Sequence, residues 1–459
     1  MESGRPVVPL FVLDEETEGM RPLGGASRWW LHHSLASLAS DIAGRGASLV
    51  LKRGQAARIL PELVEATGAS AVYWNRAYER PAIDRDTTIK QTLKNRGIEA
   101  RSFNASLLME PWTIETKAGQ PFRVFTPFWK TLSGLVSVAP PTAAPKTIPA
   151  AEQPYASDPL EDWRLLPTEP DWATGFSEPW EPGEAGAHRQ AERFQHEAVV
   201  GYKTARDIPG VPGTSRLSPH LHFGEIGPRQ LWHAVSFWAD EQPSTVSEGA
   251  TAFLRELGWR EFNYHLLYHF PNLVRSNIDT AFDAFEWRDD DAALTAWQRG
   301  RTGYPIVDAG MRELWQTGWM HNRVRMAAAS FLVKHLLIDW RVGEEWFWDT
   351  LVDADPANNA GNWQWVAGCG FDAAPYFRIF NPILQGERFD KDGAYVRRWV
   401  PEIAGLPDRF LHKPWEAPAD TLVEANLTLG ETYPLPIVDH RAARQRALDA
   451  FARIKKPPQ

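Results

Sequence analysis

Val7-Val8-Pro9-Leu10-Phe11-Val12-Leu13 and Ala47-Ser48-Leu49-Val50-Leu51 are short apolar runs separated by a helix-like stretch at 27–44. Further runs at 70–74 and 98–103 alternate with helical stretches at 55–67 and 81–96. Strand and helix patterns in strict alternation, joined by short turns, imply a parallel α/β sheet. The runs are apolar at nearly every position instead of every second one, as expected where helices cover both faces of a sheet.

Downstream the alternation stops. Between 138 and 186 the chain turns to prolines, acids and isolated tryptophans (Ala139-Pro140-Pro141, Trp163, Trp172, Trp180), which reads as a long connector laid over a surface. Beyond it, helical stretches at 190–203, 229–240, 245–269, 290–295, 306–317, 322–337 and 342–351 follow one another without a strand pattern. The expected organisation is an α/β domain over 1–137, the connector over 138–186 and an all-α domain over 187–459, ending in Lys455-Lys456-Pro457-Pro458-Gln459.

Composition narrows the function. One cysteine, Cys369, excludes a disulfide framework, a zinc ribbon and an iron–sulfur cluster and fits a reducing, cytoplasmic compartment. No run of about 18 apolar residues suggests a membrane span. A net charge of −9 means that any nucleic-acid contact must come from a local basic patch. Twenty-two tryptophans exceed what a core ordinarily recruits, and either a Trp-rich helical core or a flavin-, base- or electron-handling role accounts for them.

Four segments carry candidate chemistry. Gly213-Thr214-Ser215-Arg216-Leu217-Ser218-Pro219 offers small residues and hydroxyls before a helix, suited to a phosphate or simply to a capped helix start. In Phe253-Leu254-Arg255-Glu256-Leu257-Gly258-Trp259-Arg260-Glu261-Phe262, Glu256 and Trp259 share a helix face, as a packing pair or as a carboxyl beside an indole plate for a base. The third runs from Thr302-Gly303-Tyr304-Pro305 to Trp319-Met320-His321-Asn322-Arg323-Val324-Arg325-Met326; its two arginines point in different directions, one toward DNA and one toward an interior acid. The fourth, Asp353-Ala354-Asp355-Pro356-Ala357-Asn358-Asn359 through Trp363-Gln364-Trp365 and on to Asp372–Asn381, is a poor metal set, since no histidine joins the acids.

In this order and at these separations the four segments resemble the FAD-binding helical domain of the DNA photolyase/cryptochrome family, and the first 186 residues resemble its antenna domain and linker. The resemblance implies FAD as cofactor, pyrimidine-dimer DNA as partner, a monomer, and an antenna chromophore, methenyltetrahydrofolate or a deazaflavin. It implies FAD contacts from Tyr202, Thr214, Ser215, Arg216, Leu217, Ser218, Phe253, Ala354 and Asp355, an Arg325–Asp353 ion pair beside the flavin ring, and Asn359 facing flavin N5. On the substrate side it implies Trp259 and Trp365 as pocket walls, Glu256 on the pyrimidine carbonyls, and Arg260, Asn263, Asn322, Arg323, Met326 and Arg378 as further dimer or DNA contacts. Trp363, Trp340 and Trp287 correspond to an indole relay that re-reduces stored flavin, and Glu79 to an antenna contact or an ordinary helix-start acid.

The implied reaction is light-driven repair of cyclobutane pyrimidine dimers, by an electron from excited reduced flavin to a flipped-out dimer. A protonated Glu256, its pKa raised by burial between aromatic rings, would stabilise the dimer radical anion. A cryptochrome-type signalling flavoprotein, a (6-4) photolyase and a plain flavoprotein or DNA-binding module are the alternatives; Asn359 and the absence of a histidine pair at 319–326 favour dimer repair, in the bacterial branch near plant cryptochromes. In the family a further strand and helix precede the run at 7–13. The expectation is therefore a sheet without its first, central strand, from a misplaced start codon or a truncation, with unpaired backbone groups, poor expression and weak antenna binding.

Overall fold

The computed structural model describes residues 4–151, 155–240, 244–373 and 377–455, so the tail from Lys456 and the part of the fourth segment at 374–376 lie outside the described residues. Four strands form where the apolar runs lie: β1 (Leu10–Leu13), β2 (Val50–Arg53), β3 (Ala71–Asn75) and β4 (Glu99–Phe103). Helices α1 (Gly25–Ala43), α2 (Ala56–Thr67) and α3 (Arg80–Asn95) alternate with them. All pairing is parallel, with Leu10 opposite Val50 and Ala71 opposite Glu99, but the ladder is divided into two two-stranded sheets, β1–β2 and β3–β4. Side chains bridge the division: Val12 of β1 joins Val72 and Trp74 of β3 in one apolar cluster beneath α2 and α3.

A fourth helix, α4 (Phe125–Leu135), was not anticipated by the sequence reading. Its Phe125, Phe128 and Leu132 are buried against Phe262 and Leu266 of the helical half. The connector behaves as expected of a wrapping segment. Its Trp163 packs with Leu13 and Leu51 of the strands, its Trp180 and Phe176 pack with Trp29 and Trp30 of α1 and Trp319 of the helical half, and Ser157 and Asp158 accept hydrogen bonds from the backbone of Leu51 and Arg53.

The helical half contains α5 (Glu184–Arg193), α6 (Pro228–Asp240), α7 (Ser244–His269), α8 (Asp291–Gln298), α9 (Pro305–Thr317), α10 (Asn322–Ser330), α11 (Trp340–Thr350), α12 (Pro356–Ala367), α13 (Pro382–Phe389) and α14 (His440–Lys455). Two stretches expected as single helices are interrupted. The one expected at 190–203 passes from α5 into a π-helical turn at Phe194–Ala198 and a separate turn at Tyr202–Ala205; the one at 322–337 passes from α10 into a π-helical turn at Phe331–Leu336. An inserted π turn rotates the following side chains while the chain stays helical, so apolar periodicity alone does not reveal it. Ser218 is the first residue of a five-residue helix whose N-cap is Leu217, with no side-chain cap, so the capped helix start weighed for the 213–219 stretch is not formed.

Close approach of α11 and α12 sets the position of Trp363. A Cβ on Gly343 of α11 would stand 2.2 Å from Cη2 of Trp363 and 2.5 Å from Cδ2 of Leu332. Overpacking of that kind costs about 1–3 kcal/mol. Gly343→Ala is expected to lower the denaturation midpoint accordingly, read by thermal or urea unfolding; an unchanged midpoint would show that the two helices can separate freely.

Candidate active site

Helices α7, α10, α11 and α12, with the Thr214–Ser218 stretch, enclose a cavity of about 520 Å³. Asp355 anchors one wall. It is the N-cap of α12, its Oδ1 accepting from the backbone N–H of Ala357 and Asn358 and from Asn358 Nδ2, while its Oδ2 accepts from Tyr264 Oη of α7 at 2.5 Å and lies 3.4 Å from His222 Nδ1. Burial pushes this carboxyl up, but His222, the Arg260 charge and the Tyr264 hydroxyl together hold it well below the usual carboxylate range.

The expected ion pair is present. Arg325 Nη2 of α10 sits 2.9 Å from Asp353 Oδ2, and Arg325 Nε donates to the Met320 carbonyl at 2.7 Å. Asp353 Oδ1 is buried on this cavity-lining residue without a partner among the described residues, an acceptor left open for a ligand N–H. Asn359 lines the cavity one turn into α12, and its Nδ2 donates to the carbonyl and carboxylate of Glu344 on α11, which in turn pairs with Arg21 from the chain before α1.

Tyr202, Thr214, Ser215, Arg216, Ser218, Phe253 and Ala354 also line the cavity. Arg216 takes a left-handed backbone with φ of 52°, and its guanidinium lies 4.7 Å from the Trp319 ring and 5.5 Å from that of Trp180. Leu217 is instead buried in the apolar cluster with Tyr202 and Phe253, placing its side chain in the supporting core.

Glu256, Trp259, Asn322, Arg323, Met326 and Trp365 surround the same cavity. One face of Trp259 is covered by Phe125 of α4, stacked at 3.6 Å and 8°, so the indole is a wall with a fixed back. Trp365 is held by its Nε1, which donates to the Asp372 carbonyl. Burial pushes the Glu256 carboxyl up, in the expected direction, but an Arg206 Nη1 at 2.5 Å opposes it. That ion pair is a correction to the expected enclosure by aromatic rings alone.

Arg260 and Asn263 line the cavity as braces. Arg260 donates to the Ser106 carbonyl at 2.6 Å and Asn263 to Asn358 Oδ1 at 2.8 Å. Both sequence-neighbouring arginines of α10 face acids: Arg325 meets Asp353 and Arg323 meets Asp207 at 2.7 Å. Arg378 is exposed outside the cavity, its guanidinium over the Phe380 ring at 4.7 Å. Among the relay candidates, Trp363 lines the cavity with ring neighbours Phe347 at 5.0 Å and Trp297 at 6.3 Å. Trp340 is fully buried and donates to Asn277, and Trp287 lies against Phe285 at 4.4 Å. Glu79, at the N-cap of α3 without capping it, is pushed up by burial and by the Asp355 charge, which sets it against the helical half.

Sequence reasoning missed Arg206, His222, Asn358 and Glu344. Arg206 is the only one with a sequence signal, an Arg-Asp pair seven residues before Gly213, and that signal acquires meaning only once the chain folds back onto α7.

The cavity therefore joins an arginine–carboxylate pair, an unpartnered carboxylate oxygen and two indoles, Trp259 and Trp365, in one enclosure. Comparison with known proteins is specific. Residues 1–147 match the family described as DNA photolyase, and residues 253–453 match the FAD binding domain of DNA photolyase. The chain is 55% identical over 456 residues to a deoxyribodipyrimidine photo-lyase of Agrobacterium fabrum, covering 99% of this chain and 94% of that one. It is 39% identical to cryptochrome-1 of Arabidopsis thaliana, covering 98% of this chain and 67% of the plant protein. A solved bacterial class III photolyase from Agrobacterium tumefaciens superposes with a TM-score of 0.95 at 54% identity, covering 99% and 93% of the two chains. The chain belongs to the DNA photolyase/cryptochrome family, and its helical half is the family's FAD-binding domain. Among the described residues no helix is long and apolar enough to cross a membrane.

The depressed Asp355 carboxyl gives a pH prediction. A carboxylate held low in the folded state stabilises it fully above the ordinary carboxylate range near pH 4, and the contribution is lost as pH falls below that. Asp355→Asn is expected to cost about 1–3 kcal/mol at pH 7 and to flatten the acid limb of the stability–pH profile. Urea titrations across pH would show this, and an unchanged acid limb would contradict the assignment.

Proposed function

We propose that this chain is a deoxyribodipyrimidine photo-lyase that repairs cyclobutane pyrimidine dimers in DNA under light. One observation carries the reading: Glu256, Trp259, Asn322 and Trp365 share a single cavity with the Arg325–Asp353 pair and Asn359. Bound FAD supplies light absorption and, when reduced, one electron to the dimer, which returns after the ring splits. Arg325 and Asp353 would hold the flavin, Arg325 supplying positive charge that would favour its anionic form and the unpartnered Asp353 Oδ1 an acceptor for it. Trp259, braced by Phe125, and Trp365 flank the flipped dimer as apolar plates, while Asn322 and Glu256 meet its polar edge. Burial raises the Glu256 carboxyl against the opposing charge of Arg206, and in its protonated form, released from that pair, it donates a hydrogen bond to a carbonyl gaining negative charge.

A signalling role draws support from the cryptochrome relative. It leaves the Glu256–Trp259–Trp365 set without a task, which favours repair. The reading takes the protein as a cytoplasmic monomer, with its single cysteine buried, and takes its antenna to be methenyltetrahydrofolate or a deazaflavin.

Glu256→Ala is expected to retain FAD and dimer binding while losing most of the repair yield under blue light, whereas Trp259→Ala weakens binding to dimer-containing DNA by about 1–3 kcal/mol, the range for a lost stacking partner. Full repair by Glu256→Ala would overturn the mechanism. For the relay, Trp363→Phe is expected to abolish photoreduction of oxidised FAD while leaving repair intact in chemically reduced protein. Photoreduction at the wild-type rate would make Trp363 a packing residue.

A further inference from the structure

Trp340, at the start of α11, is fully buried, and its Nε1 donates to Asn277 Oδ1 at 2.8 Å. Asn277, in the connection between α7 and α8, is itself buried, and its Nδ2 donates in turn to Asp283 Oδ1 at 2.7 Å. The two bonds fix which way the amide faces, oxygen toward the indole and nitrogen toward the carboxylate. Asp283 is exposed, so this short chain runs from the core to a charged surface group with the amide interposed. Arg341 lies over the Trp340 ring face at 4.8 Å and is paired with Asp339, and neither is the partner of Nε1. Trp363 packs against Gly343, one turn along α11 from Trp340, and the half-buried Trp287 lies against the same core cluster.

An indole that has given up one electron is a far stronger acid at its N–H than the neutral ring. Once it loses that proton, the neutral radical left behind takes an electron back only together with a proton, and the oxidised site stays where it is. A carboxylate bonded to Nε1 would take the proton. An amide oxygen is too weak a base to do so, yet it satisfies an N–H that burial makes costly to leave unpaired. Asn277 therefore separates two tasks that Asp283, in direct contact, would merge.

Resting on the reading that Trp363, Trp340 and Trp287 carry electrons inward to oxidised FAD, we infer that Asn277 is a positioning residue of that route, holding the Trp340 N–H while leaving the proton on the oxidised ring, so that the electron deficit passes on to Trp287. Trp363 gives one electron inward to the light-excited FAD, Trp340 gives one to Trp363, and Trp287 gives one to Trp340. Trp287 then releases its N–H proton where the route meets solvent. A thiol reductant in solution restores it with one electron and one proton, and the thiol becomes a thiyl radical.

The test is flash excitation of the holoprotein with oxidised FAD and added thiol, following the absorption of indole radicals and the yield of reduced flavin. In the wild type the radical signal should begin as the protonated cation and lose its proton only late. Asn277→Asp keeps the size of the side chain but sets a carboxylate against Nε1. The deprotonated radical should then appear early, and most of the long-lived flavin reduction should be lost. Lowering the pH through the introduced carboxyl's pKa, which burial raises, should restore it, because a protonated carboxyl takes up no further proton. Asn277→Leu offers no base and should photoreduce close to the wild type, although its unpaired indole N–H lowers thermal stability. A purely structural Asn277 gives the opposite order, with the isosteric Asn277→Asp nearer the wild type than Asn277→Leu. That order, or a wild-type radical spectrum in Asn277→Asp, would overturn the inference. Photoreduction at the wild-type rate in Trp340→Phe would instead overturn the relay reading beneath it, and that variant reports it separately.

Discussion

The carboxylate of Asp355 is buried where three parts of the helical half meet, and it holds all three. Through its cap it starts α12, the helix that carries Asn359, Trp363 and Trp365; through Tyr264 it fixes α7, which carries Glu256 and Trp259; and through His222 it ties in the chain that follows the Thr214–Ser218 stretch. A buried charge is tolerable only when fully hydrogen-bonded, so these five contacts demand one mutual placement of the elements. Glu256 and Trp259 of α7 and Asn359, Trp363 and Trp365 of α12 keep their register because both helices hang from the same carboxylate. The family resemblance assigned Asp355 a place beside the flavin. What the structure shows is a joint of the cavity.

Charge around the cavity is compensated within the protein. Arg325 meets Asp353 at the floor, Glu344 meets Arg21 behind Asn359, and Glu256 meets Arg206 at the rim. This fits a chain of net charge −9 that nevertheless handles a polyanion. The α/β half contributes directly, through Arg21, through Phe125 at the back of Trp259, and through the Ser106 carbonyl that holds Arg260. Cavity geometry therefore depends on contacts between the two halves.

Much of this was legible in the sequence, for identifiable reasons. The strand–helix alternation announced the parallel strands, although the expectation of apolar strands covered on both faces fails at β2 and β4, which carry Lys52, Arg53, Glu99, Arg101 and Ser102, and at Tyr73 and Phe103, which are exposed; the Glu256–Trp259 spacing correctly placed both groups on one cavity-facing side of a helix. Arg325 and Asp353 were paired correctly only because the order of four motifs matched a family, since their 28-residue separation carries no local signal. The π turns after α5 and α10 escaped because each keeps the stretch helical and shifts the phase of its apolar pattern by one residue, a change that no local residue type marks. The division of the sheet, the docking of α4 under Trp259 and the Arg206–Glu256 pair escaped because each depends on which elements become neighbours in space.

The central claim is that one cavity holds reduced FAD and a flipped pyrimidine dimer together. Its most direct test is recovery of the pyrimidine absorbance of a duplex carrying a single cyclobutane dimer, followed with reduced holoprotein under blue light and in darkness. The account predicts recovery under light only, with many dimers reversed per protein and no net oxidation of the flavin. No recovery under light, or equal recovery in darkness, would contradict it.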